Sequence, residues 1–429
     1  MKRCLIASIV KNIGSEVLIR GWVLQLRVCA KTTFIVVKDC SGTVQCVAAT
    51  TMITNHHIKL DDAIAIIGVV REEQRSKVGY EVDVLSLVVL NPCAHILPFN
   101  SSTDLSNVGQ ETILDYRPLS LRNNITGAIF KIQAKIVEKF REYLLGNYFT
   151  EIFSSKIVAM GTEGGANLFA IKYFDRVAYL AQSPQFYKEQ SVAGFERVFE
   201  TGHVYRAEPH ATSRHLTEYY SLDLELGFID GPEEVMQLER ELLSYVFEAI
   251  NTEFYTIFKE LGLEALPSML QVPTWEFADC LDRLKKEFGR SDLVDDLDPE
   301  GEKQLCQLAQ RDTGVAAVFV IGFPLEHRPF YTHPRGVSGA SQSFDLLFRG
   351  MEITTGGQRL SRRDDLDKAL TDRGVDSASF EDHLRVFDFG MPPHGGLAIG
   401  LERLTSQILN LQNVRLATLY PRDKNRITP

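Results

Sequence analysis

Strand-like runs and turn signals fill most of this chain without the regular strand–helix alternation that builds a parallel sheet. Strand-like segments recur around 150–158, 176–181, 197–206, 218–228, 316–322, 343–354 and 396–400. Helical periodicity is confined to a few stretches. Between 125 and 145 it is carried by Ile129, Phe130, Ile132, Ile136, Val137 and Phe140, residues 232–262 look helical, and a further helix starts near Gly400 and runs to about 411. This order predicts an α+β fold in which helices flank an antiparallel sheet. Residues 263–315 are charged and variable in character, and read as a peripheral helical insertion.

The first 92 residues have a different character. Short β-branched runs at 17–23, 33–38, 43–47, 63–70 and 80–85 are strand candidates, and Asp39-Cys40-Ser41-Gly42 supplies a hairpin turn. Five strands in so short a stretch predict a small closed barrel of the OB type over 1–92. Residues 93–125, rich in Asn, Pro, Ser and Thr, read as a hinge, which leaves 126–429 as the main body.

At 429 residues the chain is long enough for two or three domains, and its 45% hydrophobic and 24% charged residues are those of an ordinary globular protein. No run of about 18 apolar residues predicts a membrane span. The apolar stretch after Met1 is short and interrupted by Lys11, which does not suit a signal peptide. Seven cysteines include no Cys-x-x-Cys pair, so reduced structural thiols in the cytoplasm are expected, with no zinc site. The net charge of −10 is uneven. Residues 1–95 hold 11 Lys and Arg against 8 Asp and Glu, and the rest of the chain holds 35 against 48. A mildly basic small domain on an acidic body suits local docking of a polyanion, not indiscriminate nucleic-acid binding.

Two arginine-centred segments carry the chemistry. The first, Phe199-Glu200-Thr201-Gly202-His203-Val204-Tyr205-Arg206-Ala207-Glu208, continues to Arg214-His215-Leu216-Thr217-Glu218-Tyr219. The second is Gly395-Gly396-Leu397-Ala398-Ile399-Gly400-Leu401-Glu402-Arg403-Leu404. Arginine suits phosphate binding because its planar fork matches phosphate oxygens and stays charged at neutral pH. Either segment alone reads equally well as a solvated strand face or a glycine-rich helix start. Their order and the residues between them decide the matter.

Together the segments resemble motifs 2 and 3 of the class II aminoacyl-tRNA synthetases. The chain is most similar to class IIb, and within it to aspartyl-tRNA synthetases of the compact archaeal/eukaryotic type, from Gly21-Trp22-Val23 to the C-terminal Tyr420-Pro421-Arg422-Asp423 run. The resemblance implies an N-terminal anticodon-binding barrel and a class II catalytic domain. It also implies a two-step reaction, ATP-dependent formation of aspartyl-adenylate and then transfer to a tRNA 3′-hydroxyl.

By the same resemblance, aspartate would be held by Glu163, Ser183, Gln185, Lys188, Arg206, Asp223, Thr355, Arg359 and His394. Lys188 and Arg359 would grip its side-chain carboxylate, and Glu163 would lie on a loop that closes over it. A buried carboxylate without paired donors is costly, so two cations favour aspartate over asparagine. ATP would meet Arg206, Glu208, Arg214, His215, Leu216, Tyr219, Glu352, Gly400, Leu401, Glu402 and Arg403. Arg206 would neutralise the α-phosphate and the attacking carboxylate, Arg403 would hold the γ-phosphate end, and the glycines from 395 to 400 would let backbone approach the nucleotide. Asp345, Glu352 and Thr355 would hold Mg²⁺. In the barrel, Phe34 and Gln45 match an anticodon-reading pair, with Arg27, Lys77 and Glu81 at further contact positions.

The sequence departs from the family pattern in a few places. Ser155 stands where motif 1 normally carries a dimer-interface proline, and Thr355 stands where many relatives have Ser. Leu24 stands where enzymes restricted to tRNA-Asp often carry Trp, whereas Lys77 keeps their residue type. Leu24 leans toward an enzyme that charges tRNA-Asn as well as tRNA-Asp. The implied assembly is a cytoplasmic homodimer with no membrane association. Two other readings stand beside this one. They are an asparaginyl-tRNA synthetase, against which Lys188 speaks, and a synthetase-like paralogue that makes an adenylate or asparagine, or regulates RNA, without charging tRNA.

Overall fold

The structure is a computed structural model that describes residues 1–76, 78–161, 167–209, 212–336 and 339–429. It divides into two compact units, Met1–Gly127 and Ala128–Pro429.

In the first unit, strands Glu16–Val28, Thr32–Lys38, Thr43–Ala49, Ala63–Glu72 and Tyr80–Asn91 close into a barrel. The first strand pairs with the second and the fourth, and the fifth lies between the third and the fourth. Alternation drives this closure. Ile35, Val37, Val44, Cys46, Ile64, Ile66 and Val82 point inward and are buried, while their neighbours face out. A Cβ on Gly21 would lie 2.2 Å from the Lys38 carbonyl oxygen, so only glycine lets the first two strands approach there. Two elements fall outside the sequence reading, a helix Thr50–Asn55 and a 3₁₀ helix Ile6–Asn12. The 3₁₀ helix puts Ile6 and Ile9 into the barrel core. The hairpin aspartate explains its position. Asp39 Oδ1 accepts from the Ser41 and Gly42 amides at 2.7 and 3.1 Å, and Oδ2 accepts from the Ile6 amide at 3.0 Å. Burial works to raise this carboxyl, but the Ser41 hydroxyl and the three amides hold it below the usual range.

The expected hinge is instead tied to the barrel. It contains helices Gln110–Asp115 and Arg117–Ser120, and it groups with the first unit. Two buried aspartates at the entrance to the fourth strand hold it. Asp62 Oδ1 accepts from the Cys93 amide at 2.6 Å, and Asp61 accepts from the Ser101 amide at 3.2 Å and lies 3.4 Å from the Arg122 guanidinium. A polar composition was read as freedom, but here it supplies backbone partners for buried carboxylates.

The second unit is built on an eight-stranded sheet. Its order is Thr274–Glu276, Ala317–Ile321, Ser343–Phe348, Met351–Gln358, His394–Gly400, Glu218–Gly227, Arg197–Tyr205 and Thr150–Glu151. The interior pairings are antiparallel, and the two edge strands join in parallel. Helix Pro232–Glu253 lays Leu242, Leu243, Val246, Phe247 and Ile250 against Phe348, Leu397 and Ile399. The long helix Asn124–Gly146 contributes Ile132, Ile136 and Phe140 to the same core, and the Phe140 and Phe199 rings meet edge to face at 5.8 Å.

The 263–315 segment is not peripheral. Thr274–Glu276 forms one edge of the main sheet, and helices Phe277–Phe288 and Pro299–Thr313 bury Cys280, Leu284, Leu305 and Ala309 against Val318, Val320 and Leu347. Its charged composition belongs to the outer faces of amphipathic helices, whose apolar stripes cover the sheet. No helix among the described residues is long and apolar enough to cross a membrane.

One buried acid lies beneath the sheet. Glu239 on helix Pro232–Glu253 is fully buried, and its Oε1 accepts from Thr354 Oγ1 at 2.6 Å. Burial pushes its carboxyl up to about 8, against a smaller opposing pull from Thr354 and Arg240. The folded protein therefore keeps a proton that the unfolded chain loses from about pH 4.5 upward, so this site's stability falls as pH rises through that window. Glu239→Gln keeps the acceptor and removes the titration. Urea denaturation at pH 5 and pH 8 should show the variant losing less stability than the parent, by an amount on the order of a few kcal/mol.

Candidate active site and anticodon surface

The middle strands of the eight-stranded sheet end in a cavity of about 510 Å³. Arg206, Arg214, Arg328, Arg359 and Arg403 line it together with Glu208, Asp345, Glu352 and Glu402. Strand register brings them together. Antiparallel pairing sets Thr355 opposite both Asp345 and Ala398, and Ser221 opposite Gly400. Segments far apart in sequence thus meet at one sheet end.

Arg206 directly follows strand Arg197–Tyr205, and its amide donates to the Thr217 carbonyl at 2.9 Å. Its guanidinium lies 3.9 Å from Glu208 and 6.0 Å from the centre of the Tyr219 ring. Arg403 sits in the first turn of helix Leu401–Ile408 and donates to the Glu352 carbonyl at 3.1 Å. His215 and Leu216 also line the cavity, with His215 Nδ1 2.6 Å from Thr212 Oγ1. Glu402 is used differently from the expectation. Both its oxygens accept from the Tyr220 amide at 3.1 Å, and burial raises its carboxyl to about 8, so it braces a strand. Leu401 is buried and does not line the cavity.

Gly396 acts otherwise than expected. A Cβ on Gly396 would fall 2.1 Å from the Leu224 carbonyl oxygen and 2.2 Å from the Glu225 carboxylate. Gly396 is required because the Leu224 carbonyl of the paired strand, with the buried Glu225 carboxylate beside it, leaves no room for a Cβ. Gly400, by contrast, lines the cavity and has only Arg403 side-chain carbons near its open face.

Asp345 and Glu352 lie close together on neighbouring strands. Burial, together with the charge of Glu352, raises the Asp345 carboxyl against the pull of Arg328. Burial opposes the ionisation of Glu352, but Arg403 and the Thr355 hydroxyl hold its carboxyl below the usual range. Two carboxylates and a hydroxyl are hard oxygen donors. They suit Mg²⁺, which typically takes one or two protein carboxylates and completes its shell with phosphate and water. Among the described residues no group of three or more His, Cys, Asp or Glu is placed to hold a metal ion. Arg328 grips Asp345 through both oxygens at 3.0 and 2.7 Å, a contact with no local sequence signal.

Next to this end lies a buried ion network. Ser183, Gln185, Thr355 and Arg359 line the cavity, whereas Lys188, Asp223 and His394 lie behind it. Lys188 is 1% exposed, and its Nζ sits 3.0 Å from Asp223, 3.4 Å from Glu225 and 3.3 Å from the Leu397 carbonyl oxygen. Arg359 donates to Glu225 at 3.0 Å and to the Gly396 carbonyl at 3.1 Å. The lysine expected to touch a substrate carboxylate is therefore one layer down, and Arg359 is the cation of the pair that reaches the cavity. His394 is also set back, 4.0 Å from Glu189 and hydrogen-bonded near Pro392 and Ser361. Burial works to raise Glu189, but His383 and His394 overcome it and hold this carboxyl well below the usual range. Glu163 lies outside the described residues.

Glu225, Glu189 and His383 were missed. A signal for Glu225 was present. Two acids at alternate positions, Asp223 and Glu225, share one face of a strand whose neighbours are all apolar, and buried acids require cations.

Residues 109–424 match the family described as tRNA synthetases class II (D, K and N), and residues 17–90 match the OB-fold nucleic acid binding domain. The chain belongs to the class II tRNA synthetases. It is 40% identical to the aspartate--tRNA(Asp/Asn) ligase of Deinococcus radiodurans, covering 100% of this chain and 99% of that one. It is 42% identical to the enzyme of the same description from Thermus thermophilus, with full coverage of both. The aspartate--tRNA(Asp) ligase of Pyrobaculum aerophilum is 36% identical over 99% of this chain and 98% of its own. Among solved structures, asparaginyl-tRNA synthetase from Pyrococcus horikoshii complexed with asparaginyl-adenylate superposes with a TM-score of 0.92 at 28% identity, over 100% of both chains.

The synthetase's barrel presents Phe34 and Gln45 on one outer face. Arg27 pairs with Phe34 across the first two strands, and its guanidinium lies 4.4 Å from the ring centre. Gln45 sits opposite Val36, two residues along the same face. Glu81 is 2% exposed and accepts from Gln45 Nε2 at 2.8 Å and from Arg71, so it orients Gln45 and is not itself displayed. Leu24 is buried at a bulge between Val23 and Gln25, not displayed on the surface, and Lys77 lies outside the described residues.

Removing Lys188 would leave Asp223 and Glu225 buried with Arg359, paired to Glu225, as the one ion-pair partner remaining to them among the described residues. Lys188→Ala should lose aspartate-dependent pyrophosphate exchange and about 3–5 kcal/mol of stability. Unchanged exchange would contradict the assignment of this network. Phe34→Ala should lower tRNA charging about tenfold or more, as loss of a stacked base does, and leave tRNA-independent exchange at the parental rate.

Proposed function

We propose that this synthetase activates L-aspartate with ATP and transfers it to tRNA-Asp and tRNA-Asn. The observation that carries the amino-acid assignment is the buried Lys188–Asp223–Glu225–Arg359 network beside an arginine-lined cavity. Lys188 and Arg359 together balance the two acids, and Arg359 is the member of the network that also lines the cavity, where it can meet a ligand. A side-chain carboxylate satisfies that guanidinium with charge-assisted hydrogen bonds, and a carboxamide does not.

In the first step the α-carboxylate of aspartate attacks the α-phosphorus of ATP, an acyl-phosphate bond forms, and pyrophosphate leaves with its electron pair. Arg206 neutralises the charge gathered at that phosphate, while Arg403 binds the far end of the triphosphate. Tyr219 offers a stacking face for adenine. Asp345, Glu352 and Thr355 would hold Mg²⁺, which supplies charge neutralisation to the phosphates when bound. No side chain serves as nucleophile, and alignment with preorganised charge carries the rate. In the second step the tRNA terminal 3′-hydroxyl attacks the acyl carbon and AMP leaves.

The double tRNA assignment is supported by the two relatives above 39% identity named for both tRNAs. A cytoplasmic homodimer also fits. Tyr148, Phe153 and Ile157, beside the motif 1 Ser155, are exposed apolar residues that a second copy would cover. Charging of purified tRNA-Asp and tRNA-Asn transcripts with labelled aspartate tests the proposal. Comparable aspartylation of both is the expected result. Charging of tRNA-Asp alone would overturn the double assignment, and charging of neither would overturn the synthetase reading.

A further inference from the structure

Glu302 lies outside both arginine motifs, yet it touches both sides of the nucleotide end of the cavity. It sits in the first turn of helix Pro299–Thr313. That turn is firmly set. Asp298 caps it by accepting from the Gly301 amide at 2.8 Å, Arg290 holds Asp298 at 2.8 Å, and the Glu302 amide donates to the Asp298 carbonyl at 3.0 Å. Glu302 is 7% exposed and projects Oε2 toward two partners. One is the Glu352 amide, at 2.7 Å, beside a bulge in the sheet ladder. The other is Nη2 of Arg214, with which it forms a close ion pair.

Arg214 lines the cavity but belongs to a stretch between strands with no ladder to fix it. A free arginine side chain has considerable rotamer entropy to lose on gripping a ligand. Here one corner of its fork is already anchored, and its other donors remain for a ligand. The same carboxylate oxygen holds the backbone of Glu352, the residue proposed to bind Mg²⁺. One acid therefore sets both the arginine and the backbone that carries the carboxylate, at the same end of the cavity.

We infer that Glu302 is a positioning residue for the ATP polyphosphate, acting through Arg214 and the Glu352 backbone. The inference rests on the reading of this cavity as an ATP site. Its signature is a selective effect on nucleotide with none on amino acid.

The experiment is calorimetric titration of the full chain with MgATP, alongside pyrophosphate exchange to give separate KM values for ATP and aspartate. Glu302→Ala should weaken MgATP binding and raise the ATP KM about tenfold, the scale of one lost charge-assisted bond. The aspartate KM should stay within about twofold of the parent. Glu302→Gln keeps an acceptor oxygen and should recover most of the loss, to about threefold. Glu302→Ala combined with Arg214→Ala should lose less MgATP affinity than the sum of the two single losses, because both remove the Arg214–Glu302 pair, and should bind worse than Arg214→Ala alone by the part carried through the Glu352 backbone.

An ATP affinity unchanged in either variant would overturn the inference. So would ATP and aspartate KM values that rise together with a lowered Tm, since that marks a merely structural acid. If the alanine variant does not fold, the glutamine variant and its combination with Arg214→Ala give the same reading. A parent that binds MgATP but activates no aspartate would leave this inference standing and sink the substrate assignment. A parent that binds no MgATP would overturn both.

Discussion

Two carboxylates and two cations buried in contact are the constraint around which the catalytic unit is arranged. Asp223 and Glu225 sit on a central strand, Lys188 comes from the helix packed on it, and Arg359 follows the next strand but one, Met351–Gln358. None of these charges is tolerable alone at this depth. Their mutual requirement fixes how helix Gln185–Phe195 packs on the sheet, and it sets the Glu225 carboxylate beside the Leu224 carbonyl, where residue 396 has no room for a Cβ. Specificity follows from the same arithmetic of charge. The network is balanced within itself, and its one face on the cavity is a guanidinium.

Around that centre the cavity separates its tasks by depth. Arg206 and Arg403 have accessible guanidinium groups at the ends of regular elements, where a polyphosphate can meet them. Arg328 and Glu402 are spent inward, on Asp345 and the Tyr220 backbone, and stiffen the frame. The barrel repeats this division, since Gln45 is displayed while Glu81 behind it is buried and orients it. In both units a displayed group works because an undisplayed one holds it.

Much of this was legible in the sequence where the determinant is local. Period-two alternation marked the barrel strands, and the order of strands and helices marked the α+β body. The resemblance of the segments around Arg206 and Arg403 to class II motifs marked many of the residues that line the cavity. What was not legible depends on contacts distant in sequence. The 93–125 segment looked loose because Asp61 and Asp62, which hold it, lie well upstream. The 263–315 segment looked peripheral because its amphipathic stripes were masked by charge. Lys188 was expected at the substrate because residue type announces charge but not depth. Glu302 and Arg328 were missed because each meets its partner only through the folded sheet.

The claim on which the account turns is that the cavity takes a carboxylate and refuses a carboxamide, in a fold shared with an asparaginyl-tRNA synthetase. The most direct measurement is pyrophosphate exchange by the unmodified chain with aspartate and with asparagine, each over a full concentration range. The account predicts that aspartate supports exchange with kcat/KM at least about 1,000-fold above asparagine, as expected where a buried group is left unpaired by the wrong ligand. Equal or better exchange with asparagine would contradict it.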